Sequence, residues 1–127
     1  MTYLLDSHTF LWAVQAPEKL SRKARRICEQ PAAPVVISVA TIWELAVKCS
    51  LGQLSIPNFN VTLPEWVRML QTRVLPLEAA HAYAVYGLPM LHRDPFDRML
   101  IAQALAEDLT LVTGDEQIHH YPVKWTW

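Results

Sequence analysis

Cysteine is scarce in this sequence, no long apolar run occurs, and neither sign of charge is in real excess. Each shortage excludes something. Cys28 and Cys49 form no Cys-x-x-Cys pair and have no histidine at finger-like distance, which argues against a structural zinc site and for two ordinary half-buried thiols. No stretch approaches the roughly 20 apolar residues needed to span a bilayer. The opening Met1-Thr2-Tyr3-Leu4-Leu5-Asp6 has no positive segment and meets an aspartate before any long apolar stretch forms. A soluble, cytoplasmic protein without membrane contact is expected. Internal repeats, linkers and low-complexity tracts are lacking too, so residues 1–127 are expected to fold as one domain.

What is present supports a packed core. Of the 127 residues, 52% are hydrophobic and 18% charged, a balance that argues against disorder. Lys plus Arg number 11 against 12 Asp plus Glu, a net charge of −1. This lends no support to a nucleic-acid partner, but the distribution matters more than the total. Setting aside Asp6, Glu44, Asp97 and Asp115 leaves 11 basic residues against eight acidic, a surplus of three.

Apolar runs and punctuation outline the elements. Residues 2–5 read as a buried strand ending at Asp6, and 8–14 as a helix stopped by Pro17. Residues 20–30 form an amphipathic helix whose outer face carries Arg22, Lys23, Arg25 and Arg26. A break at 31–34 precedes a β-branched strand, Val35-Val36-Ile37. Ser38 then caps a helix to about Ser50, with Gly52 just past its end. Thr62 and Glu65 have capping-box spacing, predicting a helix over 63–73. An extended piece at 74–77 and a helix at 78–86 follow. The sharpest helix start is Asp94-Pro95-Phe96-Asp97, with Asp94 as cap, Pro95 in the first position and Asp97 three residues after the cap. That helix runs to about Asp108, before a strand at 109–113, a turn at Gly114-Asp115 and a last strand within 123–127. The alternation predicts an α/β fold: a central parallel sheet of four to five strands with helices on both faces.

In such sheets, sites form beyond the carboxyl ends of the strands. Asp6 ends the first strand, Asp115 follows a later one, and Asp94 and Asp97 open a helix. Glu44 lies within the apolar stretch Ile42-Trp43-Glu44-Leu45-Ala46-Val47, where an unpartnered charge is costly to bury. Its plainer reading is a solvent-facing residue paired with Lys48 at i+4. Carboxylates gathered on one edge repel one another. Divalent Mg²⁺ or Mn²⁺, which favour hard oxygen ligands, resolves that repulsion and serves phosphodiester hydrolysis.

The runs Tyr3-Leu4-Leu5-Asp6-Ser7-His8, Trp43-Glu44 with Lys48 and Gly52, His92-Arg93-Asp94-Pro95-Phe96-Asp97-Arg98-Met99-Leu100-Ile101-Ala102-Gln103-Ala104, and Leu111-Val112-Thr113-Gly114-Asp115 occur in order across nearly the whole chain. Together they resemble PIN domains, and more narrowly the VapC-type toxins of bacterial toxin–antitoxin modules. The resemblance implies an RNA endonuclease using Mg²⁺ or Mn²⁺, inhibited by a cognate antitoxin and often a homodimer. It implies Asp6, Glu44 and Asp97 as catalytic, metal-holding acids and Asp115 at the family's more variable fourth polar position. Asp94 is open to three readings: cap, support or ligand. Gly114 departs from relatives with a larger, often basic residue there, and Ser7 replaces the more usual Thr.

Ser7, His8, His92, Arg93, Arg98 and Thr113 are candidates to bind substrate or to support the acids. The arginines could grip phosphate bidentately or simply balance local charge. His92 reads better as a backbone-bonding residue than as a general acid. His119 and His120 read as solvated, and His81 as without function. The basic face of 20–30 suits an RNA backbone, an antitoxin or plain solvation. Trp43 and Trp66 are expected in the core or at an interface, and Trp125 and Trp127 as C-terminal anchors. Two rival enzymes fit poorly: an aspartate-nucleophile phosphatase wants an acid where His8 stands, and a phospho-acceptor domain wants an aspartate where Ser38 ends its strand. A catalytically inactive PIN-like scaffold is the remaining alternative.

Overall fold

Alternate residues along the central strands point into different layers of the core. In the computed structural model, which describes residues 1–30 and 32–127, β1 (Tyr3–Leu5), β2 (Val35–Ser38) and β4 (Thr110–Val112) are flanked by β3 (Arg73–Leu75) and β5 (Trp125–Thr126). Among the described residues they make one sheet, ordered β3-β2-β1-β4-β5, with every pair parallel. Leu4, Val36 and Leu111 enter one apolar layer, while Leu5, Val35, Ile37 and Val112 enter the other. Burial on both faces explains why these strands read as continuous apolar runs.

The helices are α1 (Ser7–Gln15), α2 (Arg22–Glu29), α3 (Val39–Ser50), α4 (Phe59–Met69), α5 (Ala79–Tyr86), α6 (Pro95–Ala106) and α7 (Glu116–His119). Phe10 of α1, Ala24 of α2, Leu45 of α3 and Leu63 of α4 cover one face. Leu100, Ile101 and Ala104 of α6 and Ile118 of α7 cover the other. Successive strands step outward from β1 through β2 to β3, after which the chain returns to the opposite side of β1 as β4. That reversal sets a crevice between β1 and β4 at the carboxyl edge, where open α/β sheets build sites.

Most elements fall near their expected places, and Pro31, in the expected break, lies outside the described residues. The helix expected over 63–73 is displaced: α4 begins a turn earlier, after Asn58 in the left-handed region at φ 53°. Thr62 does not cap it. Its hydroxyl donates to the Pro57 carbonyl at 2.7 Å, and Pro64 sits inside the helix. The reason is the apolar stripe Phe59, Leu63, Trp66, Val67 and Leu70, all packed into one layer; the pattern starts at Phe59, and its burial outweighs a local capping signal. The two cysteines are free and half-buried. Burial, then Glu29, pushes the Cys28 thiol up to about 11, so it is inert at neutral pH. Among the described residues, no helix is long and apolar enough to cross a membrane.

Candidate active site

Asp6 leaves the end of β1 and caps α1, accepting the Thr9 backbone N–H at 2.8 Å. It is buried, at 4% exposure. Burial raises its carboxyl above the ordinary range, against hydrogen bonds from Thr113 and Thr9 that pull it down. The Thr9 hydroxyl donates to the Val112 carbonyl at 2.9 Å, fastening α1 to β4.

Glu44 is not on the solvent face. It is 2% exposed, takes the Ser7 hydroxyl at 2.5 Å on one oxygen and Lys48 Nζ at 2.7 Å on the other. Both readings of the sequence therefore meet: the i+4 ion pair exists, but its acid is buried. The hydrogen bond to Glu44 is the main cause that raises the Lys48 amine, helped by Asp94 and Asp97. Lys48 thus stands within the field of the acids. In the sequence it reads as a surface partner of Glu44 at i+4 and as part of the run Trp43-Glu44 with Lys48 and Gly52, with no role at the acids assigned to it.

Asp94 caps α6, its Oδ1 accepting from Phe96 N at 2.9 Å and Asp97 N at 3.1 Å. Asp97 follows in the first turn, its side chain 17% exposed. Its carboxyl is pushed up to about 8, first by burial and then by Asp94, Asp6, Glu44 and Asp115. The four other acids anticipated from the sequence therefore all bear on Asp97. Asp115 caps α7 through Gln117 N at 2.9 Å, and its own N–H donates to Thr113 Oγ1 at 3.1 Å. Among the described residues, no three acids, histidines or cysteines are already drawn into a complete chelating set.

A cleft of about 280 Å³ opens beside Asp6 and Asp115, lined also by His8, Thr9, Trp12, Gly114 and Trp127. Gly114 has a steric explanation: a Cβ there would stand 2.7 Å from Trp127 Cε2. The indole of Trp127 fills the space that a larger residue at 114 would need.

Two expectations are corrected. Arg98 does not present its guanidinium to phosphate: it is 6% exposed and donates to the carbonyls of Pro89 (2.8 Å) and Val85 (3.3 Å) and to the Tyr121 hydroxyl (2.9 Å). Burial with backbone acceptors turns it into a strut. Arg93 alone of the two is exposed, on a groove shared with Trp43, Met90 and Pro95. His119 is not simply solvated, because its Nε2 meets the Thr113 carbonyl at 2.7 Å and its ring stacks on Trp125 at 3.4 Å. His120 is exposed. Trp43 is 54% exposed, edge-on to Phe96 at 4.8 Å, whereas Trp66 packs on the core.

Sequence reasoning overlooked Tyr121 and Gln103. The Tyr121 hydroxyl meets His92 Nδ1 at 2.9 Å. Gln103, fully buried, accepts the Ser38 hydroxyl at 2.5 Å and donates to the Pro76 carbonyl at 3.2 Å. It ties α6 to the end of β2. A polar residue in an otherwise apolar helix stretch, Leu100 to Ala104, was the signal for Gln103.

A parallel α/β sheet with acids collected at its carboxyl edge defines a class, and the comparison with known proteins agrees: residues 3–124 match the PIN domain model, and the chain belongs to that family. Ribonuclease VapC22 of Mycobacterium tuberculosis is 30% identical over 128 residues, covering 95% of this chain and 94% of that protein. Two crystal structures share the fold. VapBC2 from Rickettsia felis bound to a DNA fragment from their promoter gives a TM-score of 0.74 at 17% identity, over 100% of this chain and 99% of that one. DNA-bound VapBC from Salmonella typhimurium gives 0.71 at 15%, over 99% and 97%.

Proposed function

We propose that this chain is a metal-dependent endoribonuclease, the toxin of a toxin–antitoxin pair, which cleaves RNA phosphodiester bonds in the cytoplasm. The observation that carries the reading is the gathering of buried carboxylates at the sheet's carboxyl edge: Asp6, 4% exposed, beside the cleft, Glu44, 2% exposed, and Asp97 in the first turn of α6, whose carboxyl burial and the neighbouring acids push up. A protein retains such crowding where a cation relieves it. The donor set is all oxygen and charged, which suits Mg²⁺ or Mn²⁺. Asp6, Asp97, Glu44 and Asp115 would hold the ion, with Asp94 as a further candidate. When bound, it supplies Lewis acidity toward a phosphoryl oxygen and lowers the pKa of a coordinated water.

The chain's own residues perform the rest. Ser7 and Lys48 occupy one oxygen each of Glu44 and hold that carboxylate in one orientation. Thr113 and Thr9 do the same for Asp6. The cleft along Trp12 and Trp127 offers apolar walls for the nucleotides flanking the scissile bond, and exposed Arg93 is available to phosphate.

A protein partner is part of the reading. Trp43, Tyr83, Tyr86, Met90 and Leu91 are all at least half exposed, and a groove of about 640 Å³ runs among Trp43, Ala82, Val85 and Met90. Apolar surface gathered this way marks interaction sites. A cognate antitoxin, and a second copy of the chain, are the proposed occupants of the molecule's apolar surfaces.

The test is RNA cleavage by the purified chain with Mn²⁺ or Mg²⁺, beside Asp6→Asn and Asp97→Asn. An asparagine keeps an oxygen to accept from Thr9, so the α1 cap survives. Cleavage lost in both variants, with unchanged circular dichroism, is expected. Full activity in either variant would overturn the assignment, and ion binding without cleavage of any RNA would favour the scaffold.

A further inference from the structure

His92 is placed unusually for a core histidine. Its side chain is 8% exposed, and its Nε2 is buried without a hydrogen-bond partner, 3.5 Å from Asp97 Oδ2. Its other ring nitrogen, Nδ1, lies 2.9 Å from the Tyr121 hydroxyl. That hydroxyl already receives two N–H groups, from Arg98 Nη1 at 2.9 Å and from the His92 backbone at 3.3 Å. A phenol oxygen has two acceptor sites and one proton. With both acceptor sites filled, its proton is directed to His92 Nδ1. Nδ1 must then be the unprotonated nitrogen, and the ring's own proton lies on Nε2, facing Asp97.

We infer that Arg98, Tyr121 and His92 form a directional hydrogen-bond chain that fixes the His92 tautomer and aims an N–H donor at Asp97 Oδ2, making His92 and Tyr121 positioning residues for that carboxylate. The ends of the chain are fixed. Arg98 has no acceptor and can only donate, the Pro89 and Val85 carbonyls hold it in place, and its polarity propagates through Tyr121. The His92 ring also packs edge-on against Tyr121, centroids 5.3 Å apart, which limits ring rotation. A slight approach of Nε2 closes a charge-assisted bond to one Asp97 oxygen and leaves the other directed at the cluster. Supporting hydrogen bonds of this kind set the orientation of ion-holding side chains in metal sites. The inference rests on the proposed role of Asp97, but the tautomer can be read without RNA or metal.

The experiment has three parts. Nitrogen-15 NMR of the imidazole nitrogens in the full chain, free of metal and at alkaline pH, where the ring is neutral and the Asp97 carboxyl is ionised, should find the His92 proton on Nε2; a proton on Nδ1 would overturn the inference. Mn²⁺ titration then compares His92→Gln, His92→Asn and Tyr121→Phe. The Gln amide reaches the position of Nε2 and restores the donor, whereas the Asn amide sits near Nδ1 and does not. Loss of Mn²⁺ affinity by about 10–100-fold in His92→Asn and Tyr121→Phe, with His92→Gln near wild type, is expected. Equal affinity in all of them would overturn it, and so would equal loss in both His92 variants, which is the mark of a merely structural histidine. If Tyr121→Phe does not fold, the His92 pair decides alone. Where RNA is cleaved, the loss should appear in kcat with KM little changed; absence of RNA cleavage in the wild type counts against the nuclease assignment and leaves the tautomer result standing.

Discussion

Replacing Asp97 by asparagine removes the acid on which the others converge, and the metal-free protein should become more stable as a result. The Asp97 carboxyl moves from an ordinary value of 3.8 to about 8 in the fold, and its side chain is only 17% exposed, so solvent screens it weakly. The sign follows from proton linkage. Below pH 3.8 both folded and unfolded chains hold the proton, and the cost is absent. Between 3.8 and about 8 the folded chain binds more protons than the unfolded one, so stability falls as pH rises; above that window the cost is constant. At about 1.36 kcal/mol per unit, the cost at pH 7 is at most about 4 kcal/mol, a ceiling because Asp94 and water can rearrange around the charge. The Asp97→Asn variant carries no such cost. Urea unfolding in EDTA should therefore show Asp97→Asn more stable than wild type near pH 8, and the difference should vanish near pH 4. Excess Mn²⁺ should narrow the gap, adding about 2.7 kcal/mol to wild type at a hundredfold excess over Kd and little to the variant. Equal stability at pH 8, or a difference independent of pH, would refute the account of a crowded carboxylate.

The other predictions concern how the acids are held. Ser7→Ala leaves a buried Glu44 oxygen without its donor and should lower unfolding stability by about 1–3 kcal/mol, measurable by denaturant titration. Gly114→Ala should displace the Trp127 ring, shift tryptophan emission and cost about 1–3 kcal/mol. Combined with Trp127→Ala, that cost should disappear, and a double-mutant cycle measures the coupling.

The parts legible in the sequence were those determined within a few residues. Val35-Val36-Ile37 could only be buried, and Asp94-Pro95 fixes a helix start through backbone geometry alone, so Asp97 was found with it. Asp6 was legible because an aspartate ending an apolar strand has few other uses. Glu44 was ambiguous because its burial depends on Ser7, 37 positions away. Ser38 with Gln103 spans 65 positions and His92 with Tyr121 spans 29; no local pattern reports such pairs. Arg98 looked like a phosphate ligand because it neighbours Asp97 in sequence, yet one helical step turns its side chain into the core. The start of α4 was misplaced for a related reason: packing of Phe59 prevailed over a local cap.

The acids that cap α1 and α6 have an electrostatic consequence for the ion they are proposed to hold. Each helix carries a partial positive charge of about half a unit at its N-terminus, and Asp6 and Asp94 sit on those two ends, with Asp97 in the first turn of α6. The peptide dipoles therefore act as a built-in counter-field. They let the carboxylates assemble and the chain fold before any cation arrives. The same dipoles oppose the cation once it comes, so the site binds more loosely than its count of acids suggests. Occupancy then follows the free concentration of the ion, and the fold does not depend on capturing one.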